Sequence, residues 1–147
     1  SAEIIVLGDF NATLDEEAFG RRGLRASADA ASVVGPERTA TVFDTRAGSD
    51  SPDSATHFTR PYPYTGQSGH WNALDHIFVS QGLLDREGLT WVEGSTQVLR
   101  ADFMLADDGT PRTFFERGVK PREQPLDRVG FSDHLPVVTR LRRIRRG

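Results

Sequence analysis

The chain has 147 residues, of which 37% are hydrophobic and 27% are charged, a composition that suits one soluble domain or a large part of one. It has no cysteine, which excludes disulfides and thiolate metal sites, so any metal must be held by oxygen or histidine. Its net charge of −3 excludes the overall basic surface that is usual in nucleic-acid-binding domains.

The first predicted element is a strand. Residues 3–7 form a short β-branched and apolar run that ends at Gly8, which is typical of a buried strand. Thr13 and Glu16 then match a T-x-x-E capping box, which predicts that a helix starts near Leu14.

The middle of the chain alternates short extended runs with loops. Residues 41–46 favour a short helix or an extended run, and residues 56–59 favour a strand that Pro61 stops. Residues 74–79 predict a second clear strand, because apolar side chains recur through this segment.

The C-terminal third contains two further strand regions with a loop between them. Residues 90–99 predict a strand region that Gly94 interrupts. Residues 107–128 are rich in proline, glycine and charge, which predicts a long loop of a kind that is often functional. Residues 135–141 predict a closing strand that tolerates Pro136 near its start.

The chain ends in an arginine-rich tail, with five arginines among the last eight residues. The simpler interpretation is a solvated cationic end, and the alternative is a patch that binds a phosphate backbone. No stretch approaches the length of a membrane span. No signal peptide is present, although an upstream leader that has been removed is compatible with the sequence, and the lack of cysteine fits a cytosolic protein or a secreted bacterial one.

Three short segments place acidic or amide side chains at predicted strand ends. They are Gly-Asp-Phe-Asn at 8–11, Leu-Asp-His-Ile-Phe-Val-Ser at 74–80, and Gly-Phe-Ser-Asp-His-Leu-Pro-Val at 130–137. Any one of them is explained by a turn. Asp75 lies within an apolar strand, however, and a buried carboxylate needs a partner such as His134 or His76. Together the segments supply carboxylates for a hard cation, an amide for a phosphate oxygen and an imidazole for proton transfer.

In this order, the three motifs resemble the second half of the endonuclease/exonuclease/phosphatase superfamily, the DNase I-like group. The resemblance implies that residues 1–147 are the C-terminal portion of such a domain, with its N-terminal half absent from this sequence. It implies an α/β fold: half of a four-layer α/β sandwich, with a mainly antiparallel or mixed sheet and covering helices. Residues 62–69 further resemble the bacterial predicted extracellular nucleases of this superfamily.

The resemblance also implies a role for each motif residue. Asp9 would orient or deprotonate the attacking water, and Asn11 would hydrogen-bond the phosphate. Asp133 would lie in the metal shell. His134 would contact the phosphate and stabilise developing charge, while Asp75 would hydrogen-bond His134 and fix its tautomer and orientation.

The implied activity is divalent-metal-dependent hydrolysis of phosphodiester bonds, and a nuclease is the first expectation. Mg²⁺ is the expected metal, with Mn²⁺ and Ca²⁺ as alternatives. The expected partner is a phosphate ester, and nucleic acid is the first expectation. The substrate stays open, because nucleic acid, inositol phosphates, sphingomyelin and nucleotide–protein links are all cleaved within the superfamily. A phosphatase or a lipid phosphodiesterase is the alternative enzyme, and a non-catalytic binding module on the same scaffold is the alternative of another class.

One departure from the family pattern matters. The family's first half supplies an Asn, a metal-binding Glu and another His upstream of the position of Asp9, and neither His57 nor His70 replaces them. His76 stands where the family often has Tyr or Arg, and we interpret it as a packed polar residue. We therefore expect these 147 residues alone to be inactive, to bind Mg²⁺ weakly and to self-associate through an apolar face. In the parent protein, both faces of the strands that contain these residues are expected to be buried: Val6, Phe78, Val79, Val137 and Leu141.

Overall fold

The computed structural model describes residues 2–13, 25–27, 41–46, 52–60, 68–113, 130 and 132–144. The helix predicted near Leu14 and most of the loop predicted at 107–128 lie outside these residues. Within the described ranges the regular elements are strands and three short 3-10 turns, at Pro52–Ser54, Gln81–Leu83 and Asp102–Met104. No helix in the described part of the chain has the length and apolar composition needed to cross a membrane.

Ten short strands follow one another within the described ranges. They are β1 Ile5–Asp9, β2 Arg25–Ser27, β3 Thr41–Asp44, β4 His57–Thr59, β5 His70–Asn72, β6 Asp75–Val79, β7 Leu89–Trp91, β8 Gln97–Val98, β9 Val137–Val138 and β10 Leu141–Arg143. The strands predicted at 56–59 and 74–79 are therefore confirmed as β4 and β6. The extended alternative for residues 41–46 is confirmed as β3, and the region 90–99 divides into β7 and β8 around a turn at Gly94.

The largest sheet has the strand order β1-β6-β3-β2. β6 pairs antiparallel with both β1 and β3, while β2 pairs parallel with β3. The other strands form three antiparallel pairs, β4–β5, β7–β10 and β8–β9. The expected mainly antiparallel or mixed sheet is confirmed. The described residues contain no α-helix, so the covering helices and the four-layer sandwich stay predictions.

The hydrophobic core lies on both faces of β6, because successive side chains of a strand point to opposite sides of the sheet. Phe78 is fully buried on one face, and Val79 is fully buried on the other. Burial of such side chains stabilises the fold by roughly 1.5–3 kcal/mol each. The cluster around Phe78 contains Ala12, Val42, Val6 and Phe10, and the cluster around Val79 contains Phe43, Leu83, Leu84, Leu89 and Trp91.

The prediction that the first strand is buried is wrong. Ile5 and Leu7 in β1 are 37% and 68% exposed. The reason is the place of β1 at the edge of the sheet, where the apolar cluster around Val79 ends. Leu141 in β10 is also 37% exposed, and the burial expected for its strand in the parent protein stays a prediction.

The single closing strand predicted for residues 135–141 is also wrong. β9 pairs with β8, whereas β10 pairs with β7, so the chain passes from one two-stranded sheet to another. Tertiary hydrogen bonds hold the break between them. The Thr139 hydroxyl accepts the indole N–H of Trp91 at 2.8 Å, and the amide of Arg140 donates to the hydroxyl of Ser95 at 3.0 Å.

Candidate active site

Strand pairing places two carboxylates opposite each other. Asp9 is the last residue of β1, and Asp75 is the first residue of β6. The antiparallel register makes Asp9 and Asp75 Cα partners, and directly opposed residues of neighbouring strands project from the same face of the sheet. Two residues that are far apart in the sequence therefore contribute carboxylates to one end of the β1–β6 pair.

The turn after β1 holds the carboxylate of Asp9. The backbone amide of Asn11 donates to Asp9 Oδ1 at 2.8 Å, and the side-chain amide of Asn11 donates to Asp9 Oδ2 at 3.3 Å. Asn11 has a φ of 49°, a left-handed conformation that asparagine tolerates better than most residues. The turn interpretation of this motif is therefore correct, and the same turn fixes an acidic group at the strand end.

His134 is bonded to Asp75. Its Nδ1 lies 2.7 Å from Asp75 Oδ2, and each of these side chains is 20% exposed. Because an ionised carboxylate can only accept, Nδ1 carries a proton, and Nε2 is the ring nitrogen left for another partner. That Nε2 lies 4.0 Å from Asp9 Oδ2. The hydrogen bond predicted from the sequence is thus present, and the catalytic roles of these residues stay predictions.

Asp133 directly precedes His134 in the chain and lies next to His57, which the sequence motifs do not include. Its Oδ2 is 3.9 Å from Nε2 of His57, and its side chain is 62% exposed. This arrangement gives two groups of possible metal ligands. Within each group, the ligand atoms lie within 4.8 Å of one another. One group is Asp9, Asp75 and His134, the other is His57, Asp133 and His134, and the two share the imidazole of His134.

His57 had no motif to identify it. It forms an isolated antiparallel bridge with His134, and the two imidazole rings lie 4.6 Å apart at an angle of 40°. Burial lowers the pKa of His57, and the neighbouring His134 lowers it further, while Asp133 acts in the opposite direction. His57 is therefore biased towards its neutral form at the position where the two histidines meet.

Thr56 ties the strands of the site together. Its side chain is fully buried, and its hydroxyl accepts the backbone amides of Leu74 and Asp75, both at 3.2 Å. Its carbonyl accepts the amide of Leu135 at 2.7 Å, and its own amide donates to the carbonyl of Asn72 at 2.9 Å. One threonine thus connects the start of β6 to the segment that carries His134.

A buried cation lies against the backbone of Asp75. The guanidinium of Arg46 donates to the carbonyl oxygens of Asp75 and Ser54, and the backbone amide of Arg46 donates to Asp44 Oδ1 at 2.8 Å. Burial lowers the pKa of Arg46, while the carboxylates of Asp44 and Asp75 raise it. Arg46 therefore compensates part of the negative charge at the site. No sequence pattern indicated this role, because Arg46 only ended a segment whose structure was ambiguous.

His76 lies on the opposite face of β6 from Asp75. His76 and Asp44 are 2% and 1% exposed, and His76 Nδ1 lies 2.7 Å from Asp44 Oδ2. Its Nε2 donates to the carbonyl of Ala12 at 3.0 Å, and its ring stacks on Phe78. This agrees with the interpretation of His76 as a packed polar residue. It also connects β6 to β3 and to the turn that holds Asp9.

A cavity of about 240 Å³ opens beside His134. Its lining is mostly apolar, and Phe103 in that lining is 57% exposed. The residues that line it are Phe103, Met104, Arg112, Ser132, His134 and Pro136. The cavity can therefore receive a planar or apolar part of a ligand, and Arg112 and His134 are the basic residues among those that line it.

An imidazole oriented by one carboxylate, with a second carboxylate near its free nitrogen, is an arrangement suited to acid–base hydrolysis. The described residues also bring together oxygen and histidine donors of the kinds that suit a divalent cation. The chain belongs to the Endonuclease/Exonuclease/phosphatase family, whose family model matches residues 1–143. Members of this family are typically hydrolases of phosphate esters and are generally dependent on divalent metals. Searches of curated proteins and of solved structures returned no match.

Proposed function

We propose that these residues form part of the catalytic site of a divalent-metal-dependent phosphodiesterase that cleaves nucleic acid. The observation that carries the proposal is the Asp75–His134 hydrogen bond of 2.7 Å, with Asp9 4.0 Å from the other ring nitrogen of His134. A histidine held in this way presents one defined nitrogen to a substrate, and a carboxylate stands next to the place where that substrate would react.

The donor set fits a divalent cation of the Mg²⁺ type. Asp9 and Asp133 are 40% and 62% exposed, so both offer carboxylate oxygens to solvent. Mg²⁺ is usually held by one or two carboxylates and several waters. When bound, such a cation neutralises the charge of the phosphodiester and stabilises the leaving oxygen.

The roles of the protein side chains follow from their contacts. Asp9 accepts the proton of the attacking water, a contribution that is typically about 10²- to 10⁴-fold in rate. Asn11 uses one N–H to hold Asp9 and has a second N–H for a phosphate oxygen. His134 binds a phosphate oxygen through protonated Nε2, and the carboxylate of Asp75 stabilises the resulting imidazolium.

The cavity beside His134 supports nucleic acid as the substrate. Phe103 presents an exposed aromatic ring there, and Arg112 is also among the lining residues. Aromatic stacking contributes roughly 1–3 kcal/mol per base in single-stranded nucleic-acid sites, and a guanidinium suits a phosphate. The mostly apolar lining also favours a second candidate, a lipid phosphodiesterase, whose substrate would place an acyl chain in the same cavity.

The test assays the natural full-length protein against plasmid DNA, sphingomyelin vesicles and a small aryl phosphate, with Mg²⁺ or Mn²⁺ and with a chelator. We expect DNA cleavage that the chelator abolishes. Asp133→Ala should abolish this activity, whereas Asp107→Ala, at an exposed carboxylate in a surface turn, should leave it unchanged. Undiminished activity of Asp133→Ala across a metal titration would refute the metal role. Absence of hydrolysis on all three substrates would favour a non-catalytic binding module.

A further inference from the structure

Two histidines and one aspartate lie together where the chain after residue 132 forms an antiparallel bridge with β4. His57 and His134 are bridge partners, so their side chains project from the same side of the backbone pairing. Asp133 Oδ2 lies 3.9 Å from His57 Nε2, and one ligand atom from each of the three residues lies within 4.8 Å of the others. Neither histidine ring belongs to the hydrophobic core clusters.

Each imidazole has a nitrogen available for a ligand. The Nδ1–H of His134 is bonded to Asp75, which leaves its Nε2 as the ligand atom. Metal-ligating histidines almost always donate their other N–H to a carboxylate, a carbonyl or a water, because this fixes the tautomer and raises the basicity of the ligand. In His57, Nδ1 faces the Thr59 hydroxyl at 3.4 Å, and Nε2 faces Asp133.

We propose that His57, Asp133 and His134 form a binding site for a transition-metal cation of the Zn²⁺ class. Imidazole suits Zn²⁺, Cu²⁺ and Ni²⁺, whereas Mg²⁺ prefers oxygen ligands alone. This site shares Asp133 with the proposed Mg²⁺ site but differs from it chemically, because two of its three ligands are imidazoles. Only Asp133 and His134 belong to the residues of the proposed reaction, and His57 is the residue that makes the site selective for softer cations.

The geometry needs only a small adjustment to hold such a cation. Bonds of 2.0–2.1 Å in a tetrahedral site put neighbouring ligand atoms about 3.4 Å apart. The 3.9 Å between His57 Nε2 and Asp133 Oδ2 is close to that value. Asp133 is 62% exposed, so its carboxylate can rotate towards the cation, while the backbone bridge fixes the positions of the two histidines. Three protein ligands leave a fourth position to water.

Occupation of this site has a consequence for the proposed activity. A Zn²⁺ ion bound to Asp133 and His134 withdraws both side chains from a phosphate ester, so it should inhibit hydrolysis that Mg²⁺ supports. This consequence rests on the proposed function. The binding of Zn²⁺ itself rests only on the three side chains, and it can be measured without a substrate.

The test measures Zn²⁺ binding to the natural full-length protein, after removal of any affinity tag, by calorimetry and by displacement of Co²⁺ observed through its visible absorption. We expect saturable binding that excess Mg²⁺ does not displace. His57→Asn and Asp133→Asn should each weaken binding by at least about tenfold, since the loss of a residue that merely orients a ligand already costs roughly 10- to 100-fold. The matched control is His70→Asn, at an exposed histidine in β5 outside both ligand groups.

Equal Zn²⁺ affinities for the wild type, His57→Asn and Asp133→Asn would overturn the proposal, as would displacement of Zn²⁺ by excess Mg²⁺. The exposed Asp133 makes Asp133→Asn a variant that should fold normally, so the test holds even if His57→Asn unfolds. Zn²⁺ binding without hydrolysis of any phosphate ester would support this site and refute the proposed function. Hydrolysis without Zn²⁺ binding would do the reverse.

Discussion

Replacing His76 by leucine should destabilise the protein by about 3 kcal/mol, because it removes the partner imidazole of a buried carboxylate. Asp44 is 1% exposed, and its Oδ2 lies 2.7 Å from His76 Nδ1. Breaking a buried pair by removing one partner typically costs roughly 3–5 kcal/mol. The lower end applies here, because Asp44 Oδ1 keeps the backbone amide of Arg46 at 2.8 Å and lies near its guanidinium.

Leucine is chosen so that the loss of polar contacts is not confused with a large cavity. The measurement is chemical unfolding monitored by tryptophan fluorescence. An unchanged slope of the unfolding free energy against denaturant concentration would show that both proteins expose the same surface on unfolding. For a protein of this size, a loss of about 3 kcal/mol corresponds to a fall in Tm of roughly 6–12 °C. His70→Leu, at an exposed histidine, is the control and should change stability by less than about 0.5 kcal/mol.

A double-mutant cycle separates the pair from its surroundings. Replacing both Asp44 and His76 by leucine removes the buried carboxylate together with its partner, and such replacements are often neutral or stabilising relative to the intact pair. We therefore expect the double variant to be more stable than the sum of the two single losses predicts, by about 2 kcal/mol. Strict additivity, or a loss below about 1 kcal/mol for His76→Leu, would refute this account of the pair.

Three further predictions concern the site and the edge of the sheet. Asp75→Asn should lower the turnover rate of the full-length enzyme about tenfold or more with its fold intact, and unfolding with no separable effect on rate would instead make Asp75 structural. Thr56→Val should cost about 1–3 kcal/mol, because two partly buried amides lose their shared acceptor, whereas Thr56→Ser should keep the hydrogen bonds. Equal unfolding free energies for these two variants would contradict that role. The 147-residue chain should self-associate through Ile5 and Leu7, so that sedimentation is concentration-dependent and Leu7→Lys weakens it; a strictly monomeric chain would refute this.

The sequence was most informative where chemistry and local pattern coincide. An aspartate inside an apolar strand required a partner, and the hydrogen bond from His134 to Asp75 supplies it. The Asp9–Asn11 segment had the composition of a turn, and the structure shows that turn with Asn11 in the left-handed region. The position of β6 could also be predicted, because apolar residues recur through residues 74–79. In the structure, Phe78 and Val79 lie in two different buried clusters.

The remaining features depend on contacts between distant segments, which no local pattern encodes. His57 meets His134 only because β4 crosses the chain after residue 132. Thr56 and Arg46 have ordinary sequence surroundings, and their importance lies in the backbone groups that they contact. The exposure of β1 could not be predicted, because an apolar β-branched run indicates a strand and says nothing about what covers it.

Because Asp9 pairs with Asp75, the site tolerates insertions between β1 and β6 far better than insertions within β1. Residues added to a surface loop between β1 and β6 leave the pairing unchanged, and even doubling the length of a flexible loop costs only about 0.6 kcal/mol. One residue inserted within β1 would shift the register and turn Asp9 to the other face of the sheet. Relatives can therefore differ greatly in length between these two aspartates and still assemble the same pair of carboxylates.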